Sequence, residues 1–230
     1  MHDRFVHLRV HTEYSLVDGL VRIDALMDDV PDKGMNAVAI TDHCNLFAVV
    51  KGYKAAIAAG VKPIIGCDLP CHDKERPGII FSLVLLCQNN IGYRNLTCLV
   101  SKAYQEGQDQ GQPLIDMSWI ANYAEGLIAL SGGRGGDIGQ ALLAGDEARA
   151  YQLAQSWMQC FPNRFYLEIQ RTGRPDEVAY NAQVVRLADA LQLPLVATND
   201  VRFLYPSDYE AHEARVCIHD GYSLADPRRN

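Results

Sequence analysis

Histidine and aspartate side chains recur in this sequence soon after short apolar segments. His11 and Asp18 follow the first such segment, Asp42 and His43 follow the second, and Asp200 follows the last. Imidazole nitrogens and carboxylate oxygens together bind zinc, manganese or iron, and such a metal lowers the pKa of bound water and polarises a phosphoryl oxygen. These residue types therefore indicate metal-assisted hydrolysis of a phosphate ester as one candidate chemistry.

Each of these residues also has an ordinary structural interpretation. An aspartate before a histidine, as in Asp42-His43, often caps a loop beside a hydrogen-bonded imidazole, and Asp18 stands before a glycine in a good turn signal. Asp200 can cap the loop after its strand, and Glu168 can face a partner on a helix. Only the convergence of these side chains at one place in the fold favours a metal or phosphate site.

The elements that must position them alternate between β-rich and helical segments, which is typical of a parallel sheet covered by helices. The predicted strands are 5–10, 37–40, 61–65, 79–87, 126–130, 165–169 and 193–197. The predicted helices are 46–59, 91–104, 137–143, 146–160, 175–191 and 207–219, with a polar loop at 105–113. Asp137 and Gln140 resemble a capping box.

About seven strand–helix units favour a βα barrel, in which the loops after the strands meet at one mouth. No linker divides the chain, so we interpret residues 1–230 as a single domain.

A glycine-rich segment, 131–136, lies between a predicted strand and a predicted helix. Free backbone N–H groups at a helix N-terminus can bind phosphate. A tight turn that needs positive φ explains the same glycines, and the Lys-Ser/Thr of a P-loop does not follow them. The sequence favours the turn.

Cysteine and histidine also occur at metal-like spacing in Cys67, Cys71 and His72. No second pair of ligands stands at zinc-finger spacing, which argues against a structural zinc. His212 and His219 lie seven residues apart on the last predicted helix, and we interpret them as surface or packing residues.

The composition is that of a globular protein with a packed core. Of the 230 residues, 48% are hydrophobic and 21% are charged, which excludes a disordered or collagen-like chain. A formal net charge of −7 makes the chain a poor non-specific ligand of nucleic acid. No apolar run approaches the roughly 18 residues of a membrane span. The seven cysteines are odd in number and no targeting segment precedes them, which predicts reduced thiols and a cytoplasmic location.

Six segments, in order, resemble the PHP (polymerase and histidinol phosphatase) domains at the N-terminus of bacterial DNA polymerase III alpha subunits. They are FVHLRVHTEYSLVDGL, AVAITDHCNLFAVVKGY, GVKPIIGCDL, LVLLCQNNIGYRNLTCLVSKAY, GLIALSGGRGGDIG and PLVATNDVRFLYPSDYEAHEARVCIHDG, and they cover essentially the whole chain. The resemblance implies a PHP fold, a distorted seven-stranded, TIM-like βα barrel, with a metal cluster at its mouth in relatives that keep every ligand. It also implies that the sequence is an N-terminal piece of a longer polymerase chain.

Carried onto this sequence, the metal ligands of the family fall into a retained set and a replaced set. The retained positions are His11, Asp18, Asp42, His43, Asp68 and Asp200, with Asp68 standing where the family has a glutamate. The replaced positions, where the family has histidine or cysteine, carry Arg9, Ser82, Gly133 and Arg202.

The two arginines decide what we expect of this site. Arginine offers no lone pair to a metal and keeps its proton in proteins. Arg9 and Arg202 are therefore expected to pair with aspartates that a metal would otherwise neutralise. We expect a degenerate site held by salt bridges, with no catalytic residue, no tightly bound cofactor and at most one weak Zn, Mn or Mg ion.

The resemblance assigns DNA-directed DNA polymerase activity, the nucleotidyl transfer of DNA replication, to a downstream module that this sequence lacks. We expect a structural domain that docks the proofreading exonuclease subunit and other replicase subunits, and that meets DNA only through the polymerase module and meets no membrane. Two alternatives stay open: a residual metal-dependent phosphoesterase or pyrophosphatase that uses the retained ligands, and a stand-alone PHP-type phosphatase.

Overall fold

The computed structural model describes residues 5–76 and 78–226. Contacts divide the chain into two compact units: the first unit is Met1–Ile64 with Asp200–Asn230, and the second unit is Ile65–Asn199. The α-helices of the described residues are α1 (Ile23–Asp32), α2 (Val49–Ala58), α3 (Asn90–Glu106), α4 (Met117–Ile120), α5 (Asp137–Leu143), α6 (Glu147–Cys160), α7 (Glu177–Leu191) and α8 (Tyr209–Asp220). The strands are β1 (Ala37–Ile40), β2 (Lys62–His72), β3 (Ile80–Cys87), β4 (Gln108–Asp109), β5 (Gln112–Pro113), β6 (Ile115–Asp116), β7 (Leu127–Leu130), β8 (Phe165–Ile169) and β9 (Leu195–Ala197). Within this part of the chain, no helix has the length and apolar character that a bilayer crossing needs.

Strand β1 lies at the centre of the first unit, and all four of its residues are buried. Segment 5–10 runs beside it through a parallel bridge between His7 and Val38, and Val10 bridges to Val201 on the other side. The predicted strand 5–10 is therefore wrong as a regular strand, because its pairing is limited to single bridges. Because segment 5–10 runs parallel to β1, the residues that follow this segment nevertheless lie near the end of β1.

Helix α1 is absent from the predicted elements although its pattern is present in the sequence. Ile23, Leu26, Met27 and Val30 are buried, at the i, i+3, i+4 and i+7 spacing of one helix face. The usual start signal is missing, because Arg22 at the N-cap makes no side-chain capping bond.

The main sheet of the second unit has the order β2-β3-β7-β8-β9, and β6 pairs with β2. The expected parallel pairing is correct for β7–β8 and β8–β9 and wrong for β2–β3 and β3–β7, which are antiparallel. A parallel connection needs about a dozen residues or more, whereas only residues 73–79 join β2 to β3. Counting β1, the described residues hold seven strands outside the small β4–β5 hairpin, with β6 in place of segment 5–10.

The predicted polar loop at 105–113 is wrong in part, because it contains the β4–β5 hairpin. Asp109 pairs with Gln112, and the two residues between them, Gln110 and Gly111, have φ of 49° and 82°, in the left-handed region. Two consecutive residues with positive φ make the type I′ turn that matches the twist of a hairpin.

The predicted capping box of α5 is also wrong. Gly136 occupies the N-cap position and offers no side chain. Gln140 Nε2 instead donates to the Ile80 and Gly135 carbonyls at 2.9 and 3.1 Å. Asp137 is the first helical residue and accepts from the Trp157 indole N–H at 2.9 Å.

Candidate functional site

Two arginines and two aspartates of the first unit form one network with a histidine. Arg202 Nη1 contacts Asp18 Oδ2 and His11 Nδ1, and Arg202 Nη2 donates to Asp200 Oδ1 at 2.8 Å. Arg9 Nε lies 3.1 Å from the same Asp200 oxygen. These five residues are called the arginine–aspartate cluster below. The cluster is largely shielded from water, since the side chains of Asp18, Arg202 and Asp200 are 19%, 14% and 13% exposed.

His11 is fully buried, and its Nδ1 atom is committed to the cluster. Nδ1 lies 2.9 Å from Asp18 Oδ1 and also contacts Arg202 Nη1. With a proton, Nδ1 donates to the carboxylate; without one, it accepts from the guanidinium. In both tautomers this nitrogen is used inside the cluster and offers no lone pair to a cation.

The cluster balances its own charge. The guanidinium groups of Arg9 and Arg202 supply two positive charges, and the carboxylates of Asp18 and Asp200 supply two negative ones. Burial, and next the charge of Arg9, lower the pKa of Arg202. Because arginine keeps its proton in proteins, this unfavourable setting makes Arg202 dependent on its two carboxylate partners.

Asp42 organises the loop that follows segment 5–10. It accepts hydrogen bonds from the Thr12 amide at 2.6 Å, the Thr12 hydroxyl at 2.9 Å and the Ser15 hydroxyl at 3.0 Å. Burial raises the pKa of Asp42 although these three hydrogen bonds oppose the shift. The Ser15 hydroxyl also accepts from the His43 amide at 3.0 Å, so the Asp42-His43 pair is fastened to this loop.

Gly19 is required for the same loop to close. A Cβ atom at this position would lie 2.0 Å from the Thr12 carbonyl oxygen. The chain after Asp18 therefore passes directly against the backbone of Thr12, and the turn signal of Asp18-Gly19 corresponds to this close approach.

In the second unit, Asp68 and Ser82 lie on neighbouring strands. Ser82 Oγ donates to Asp68 Oδ1 at 2.5 Å, across the antiparallel pair β2–β3. Asp68 is only 3% exposed. The residue at the replaced ligand position 82 thus contributes a hydrogen bond to the retained carboxylate.

Gln170 occupies the space beside Gly133, another replaced ligand position. Gly133 has φ of 61°, and a Cβ atom there would lie 2.9 Å from Gln170 Oε1. The neighbouring Gly132 has φ of 74°. These left-handed conformations agree with the turn interpretation of segment 131–136, and as the loop stands it has no room for a histidine or cysteine side chain at position 133.

Gln170 belongs to a series of buried polar side chains in the second unit that are linked by hydrogen bonds. Gln170 Nε2 donates to Thr198 Oγ1 at 3.1 Å, and this hydroxyl donates to Glu168 Oε1 at 2.7 Å. The Glu168 amide also donates to Ser131 Oγ at 3.0 Å. The ends of β7, β8 and β9 are therefore joined by polar side chains.

This geometry can be compared with known proteins. Residues 7–172 match the PHP domain family. This chain belongs to the PHP domain family. The α/β PHP fold expected from the sequence is confirmed by this match.

Curated relatives of this PHP domain are DNA polymerase III alpha subunits. The chain is 52% identical over 225 residues to the subunit of Pseudomonas aeruginosa. This alignment covers 98% of this chain and 19% of that protein. It is 50% identical over 226 residues to the subunit of Escherichia coli K12, covering 98% and 20%. The chain thus spans about a fifth of the length of these relatives.

Solved structures share the fold at low sequence identity. An amidohydrolase from Chromobacterium violaceum superposes with a TM-score of 0.61 at 13% identity, covering 91% of this chain and 96% of that one. A two-domain protein from Bacteroides vulgatus, named as containing a predicted PHP-like metal-dependent phosphoesterase, gives a TM-score of 0.51 at 13% identity over 91% of this chain and 55% of that one.

The candidate ligands of this PHP domain are distributed over its two units. The first unit brings His11, Asp18 and Asp200 together with the arginines, and the rings of His11 and His43 have centroids 6.3 Å apart. The second unit holds Asp68 beside Ser82.

The residues of the first unit do not fit a tightly bound metal cluster. His11 and Asp200 offer atoms within 4.8 Å of one another, which is close enough to share one ion. Arg202 contacts both residues, however, and Arg9 contacts Asp200. A divalent cation at this place would have to displace or repel two guanidinium groups that already neutralise the carboxylates.

The remaining metal-like residues lie outside this network. Cys71 and His72 are adjacent on β2, so their side chains point to opposite faces of the sheet, which is unfavourable for a shared zinc. His212 lies 5.4 Å from the Phe203 ring, and His219 contacts the neighbouring Asp220 at 2.9 Å on the exposed side of α8. Both agree with packing and surface roles.

The sequence analysis did not predict that Gln170 and Thr198 link the strand ends by hydrogen bonds. Both were visible as polar residues following predicted strands, beside Glu168 and Asn199. Glycine at position 133 was a further signal, because the absence of a side chain leaves space that a neighbour fills.

Proposed function

We propose that this PHP domain is a structural module of a bacterial DNA polymerase III alpha subunit and that it does not hydrolyse phosphate esters. The observation that carries the proposal is the set of contacts made by Arg202, which joins His11, Asp18 and Asp200. A metal-dependent hydrolase needs these same groups as ligands. Here they hold a guanidinium, which lacks the Lewis acidity by which a metal lowers the pKa of bound water.

Charge supports the same conclusion. The carboxylates of Asp18 and Asp200 are matched by Arg9 and Arg202, so the cluster needs no further cation for neutrality. Breaking a shielded ion pair leaves a buried charge without its partner, which is strongly unfavourable. The cluster is thus suited to holding parts of the first unit together, as a bound metal would.

Similarity to alpha subunits supports the replicase context. The relatives are 50–52% identical to this chain and about five times as long, which leaves most of their length for nucleotidyl transfer. In this proposal the domain acts in the cytoplasm, docks the proofreading exonuclease subunit and other replicase subunits, and meets DNA only through the polymerase region.

Metal analysis tests the structural role. The chain is equilibrated with Zn²⁺ or Mn²⁺, separated from free metal, and assayed for bound metal and for hydrolysis of a model phosphodiester. We expect substoichiometric metal and no hydrolysis above that of the His43→Ala variant. Two or more equivalents of metal, together with hydrolysis that His43→Ala abolishes, would overturn the proposal.

Association tests the docking role. The full-length alpha subunit is compared with a variant that lacks this domain in a pull-down with the exonuclease subunit. We expect the intact chain to retain the exonuclease and the shortened chain to lose it, with polymerase activity confirming that the shortened chain is folded. Equal retention by both chains would refute docking through this domain.

A residual metal-dependent phosphoesterase is the second candidate. It is favoured by the proximity of the His11 and His43 rings and by ligand atoms of His11 and Asp200 that lie within 4.8 Å of one another, close enough to share an ion. The metal assay separates the two candidates, because the phosphoesterase requires bound metal and the structural module does not.

A further inference from the structure

A cavity of about 210 Å³ lies in the second unit, away from the residues discussed above. It is bounded by the connection between β2 and β3 and by the first turns of α5 and α6. Phe81, Ala141 and Leu153 contribute apolar walls, and Asp137 contributes a carboxylate. The volume lies below the roughly 300–1,000 Å³ of a drug-sized pocket, so it suits a small ligand or a single side chain.

Asp137 is a shielded carboxylate without an ion pair. Its oxygens accept from the Trp157 indole N–H at 2.9 Å and from the Ile138 amide at 2.7 Å. Among the described residues, no Lys, Arg or His nitrogen lies within 4.0 Å of it. A carboxylate has about four lone-pair positions, so each oxygen can accept a further hydrogen bond. Burial raises the pKa of Asp137 to about 6, and its hydrogen bonds and the charge of Arg149 oppose this shift only in part.

Two further carboxylates, Asp73 and Asp146, and two guanidinium groups, Arg76 and Arg149, also line the cavity. Asp146 caps α6 by accepting from the Arg149 amide at 2.9 Å. Arg149 Nη2 lies 3.8 Å from Asp73 Oδ2. Arg76 is exposed. The lining thus holds three carboxylates against two guanidinium groups, a net charge of one negative unit, and Arg149 Nε is buried without a hydrogen-bond partner among the described residues.

We propose that this cavity binds a primary ammonium group on a short alkyl stem, with the ammonium on Asp137 and the stem against Phe81, Ala141 and Leu153. An ammonium is compact and donates in three directions, so it can use the free lone pairs of a carboxylate that already holds two hydrogen bonds. The alkyl stem gains from contact with the apolar walls. The same chemistry occurs in a free alkyl amine and in a lysine side chain of a partner segment.

Calorimetric titration of the full-length chain tests the proposal with n-pentylammonium as probe, and with 1-pentanol and pentanoate as neutral and anionic counterparts. We expect saturable binding of pentylammonium only. Asp137→Asn should weaken it at least about tenfold, the loss of one ion pair of about 1.4 kcal/mol. Asp109→Asn, which removes an exposed aspartate of the β4–β5 hairpin, should leave it unchanged.

A second variant guards against a folding defect in Asp137→Asn. Ala144→Leu adds bulk to the cavity wall while leaving the carboxylate in place, and it should also abolish binding. No saturable binding of pentylammonium by the wild type, binding by both cavity variants as tight as that of the wild type, or tighter binding of pentanoate would each overturn the proposal.

Two further probes identify the source of the ammonium. Pentane-1,5-diamine represents a free amine, and N-acetyl-lysine methylamide represents a lysine within a protein segment. Tighter binding of the lysine derivative supports a protein partner, and tighter binding of the diamine supports a free ligand. Failure of both to bind refutes the site.

Discussion

Arg202 donates to the carboxylate of Asp18 from 184 positions further along the sequence. The Leu20 amide also donates to the Arg202 carbonyl at 2.7 Å, so side chain and backbone both join these distant segments. The resemblance to the family predicts a metal-binding histidine at the position of Arg202. A residue that cannot bind metal therefore performs the connecting role of a metal by gathering the ligands around its own charge.

Replacing Arg202 with methionine should destabilise the protein. Asp18 would lose its guanidinium partner, and Asp200 would keep Arg9 as its one cationic partner among the described residues. Because these groups are largely buried, we expect the free energy of unfolding to fall by about 3 kcal/mol. Urea denaturation of the wild-type chain and the Arg202→Met variant measures the difference.

A surface ion pair supplies the control for that measurement. Arg186 and Glu147 are 65% and 72% exposed and lie 3.6 Å apart. Arg186→Met should cost only about 0–1 kcal/mol, since water screens an exposed pair. Equal losses in the two variants would show that Arg202 contributes no more than a surface arginine.

Restoring imidazoles should restore affinity for metal. In the Arg9→His/Arg202→His variant, two positive charges leave the cluster and two nitrogen ligands enter it, beside the carboxylates of Asp18 and Asp200. We expect more bound Zn²⁺ than in the wild type, measured by elemental analysis after removal of free metal.

The matched variant is Arg9→Lys/Arg202→Lys, which keeps both charges. It should bind no more metal than the wild type. If the histidine and lysine variants take up the same amount, the arginines are not what excludes a metal from this site.

Much of the fold was predictable from local patterns. Strands β1 and β8 were predicted with the bounds that the structure gives, because continuous apolar runs mark buried strands. Strand direction was not predictable in the same way. Nothing in the residues of β2 and β3 specifies antiparallel pairing, and only the shortness of the connection at 73–79 points to it.

In the candidate site, the pairing of arginines with aspartates was predictable, but the packing around Gly133 was not. The family resemblance placed Arg9 and Arg202 at ligand positions, and their charge then predicted pairing with Asp18, Asp42, Asp68 or Asp200. Asp18 and Asp200 are the partners that the structure gives. The position of Gln170 beside Gly133 was not predictable, since it depends on how two loops pack. Whether the retained positions hold a metal stays a prediction.

Gly133 should tolerate a side chain poorly, and for two separable reasons. Its φ of 61° disfavours any residue with a Cβ atom, and that atom would press against Gln170. Gly145 has φ of 78° with open space around it, so Gly145→Ala reports conformational strain alone, about 1 kcal/mol. Gly133→Ala should lose roughly 1 kcal/mol more, because of the added crowding. Thermal and urea unfolding of the two variants compare these losses, and equal values would mean that Gln170 moves aside freely.

Asp137 should make the protein less stable as the pH rises through 6. Its pKa in the folded state, about 6, lies above the ordinary aspartate value of 3.8, so the folded state holds this proton more tightly than the unfolded chain does. The resulting stabilisation is fully present below pH 3.8 and is lost above pH 6. Between pH 5 and pH 7.5 it should decrease by about 1.4 kcal/mol. The measurement is the difference in unfolding free energy between the wild type and Asp137→Asn at the two pH values, which cancels contributions from other titrating groups. A gap between wild type and Asp137→Asn that does not change with pH would contradict the raised pKa.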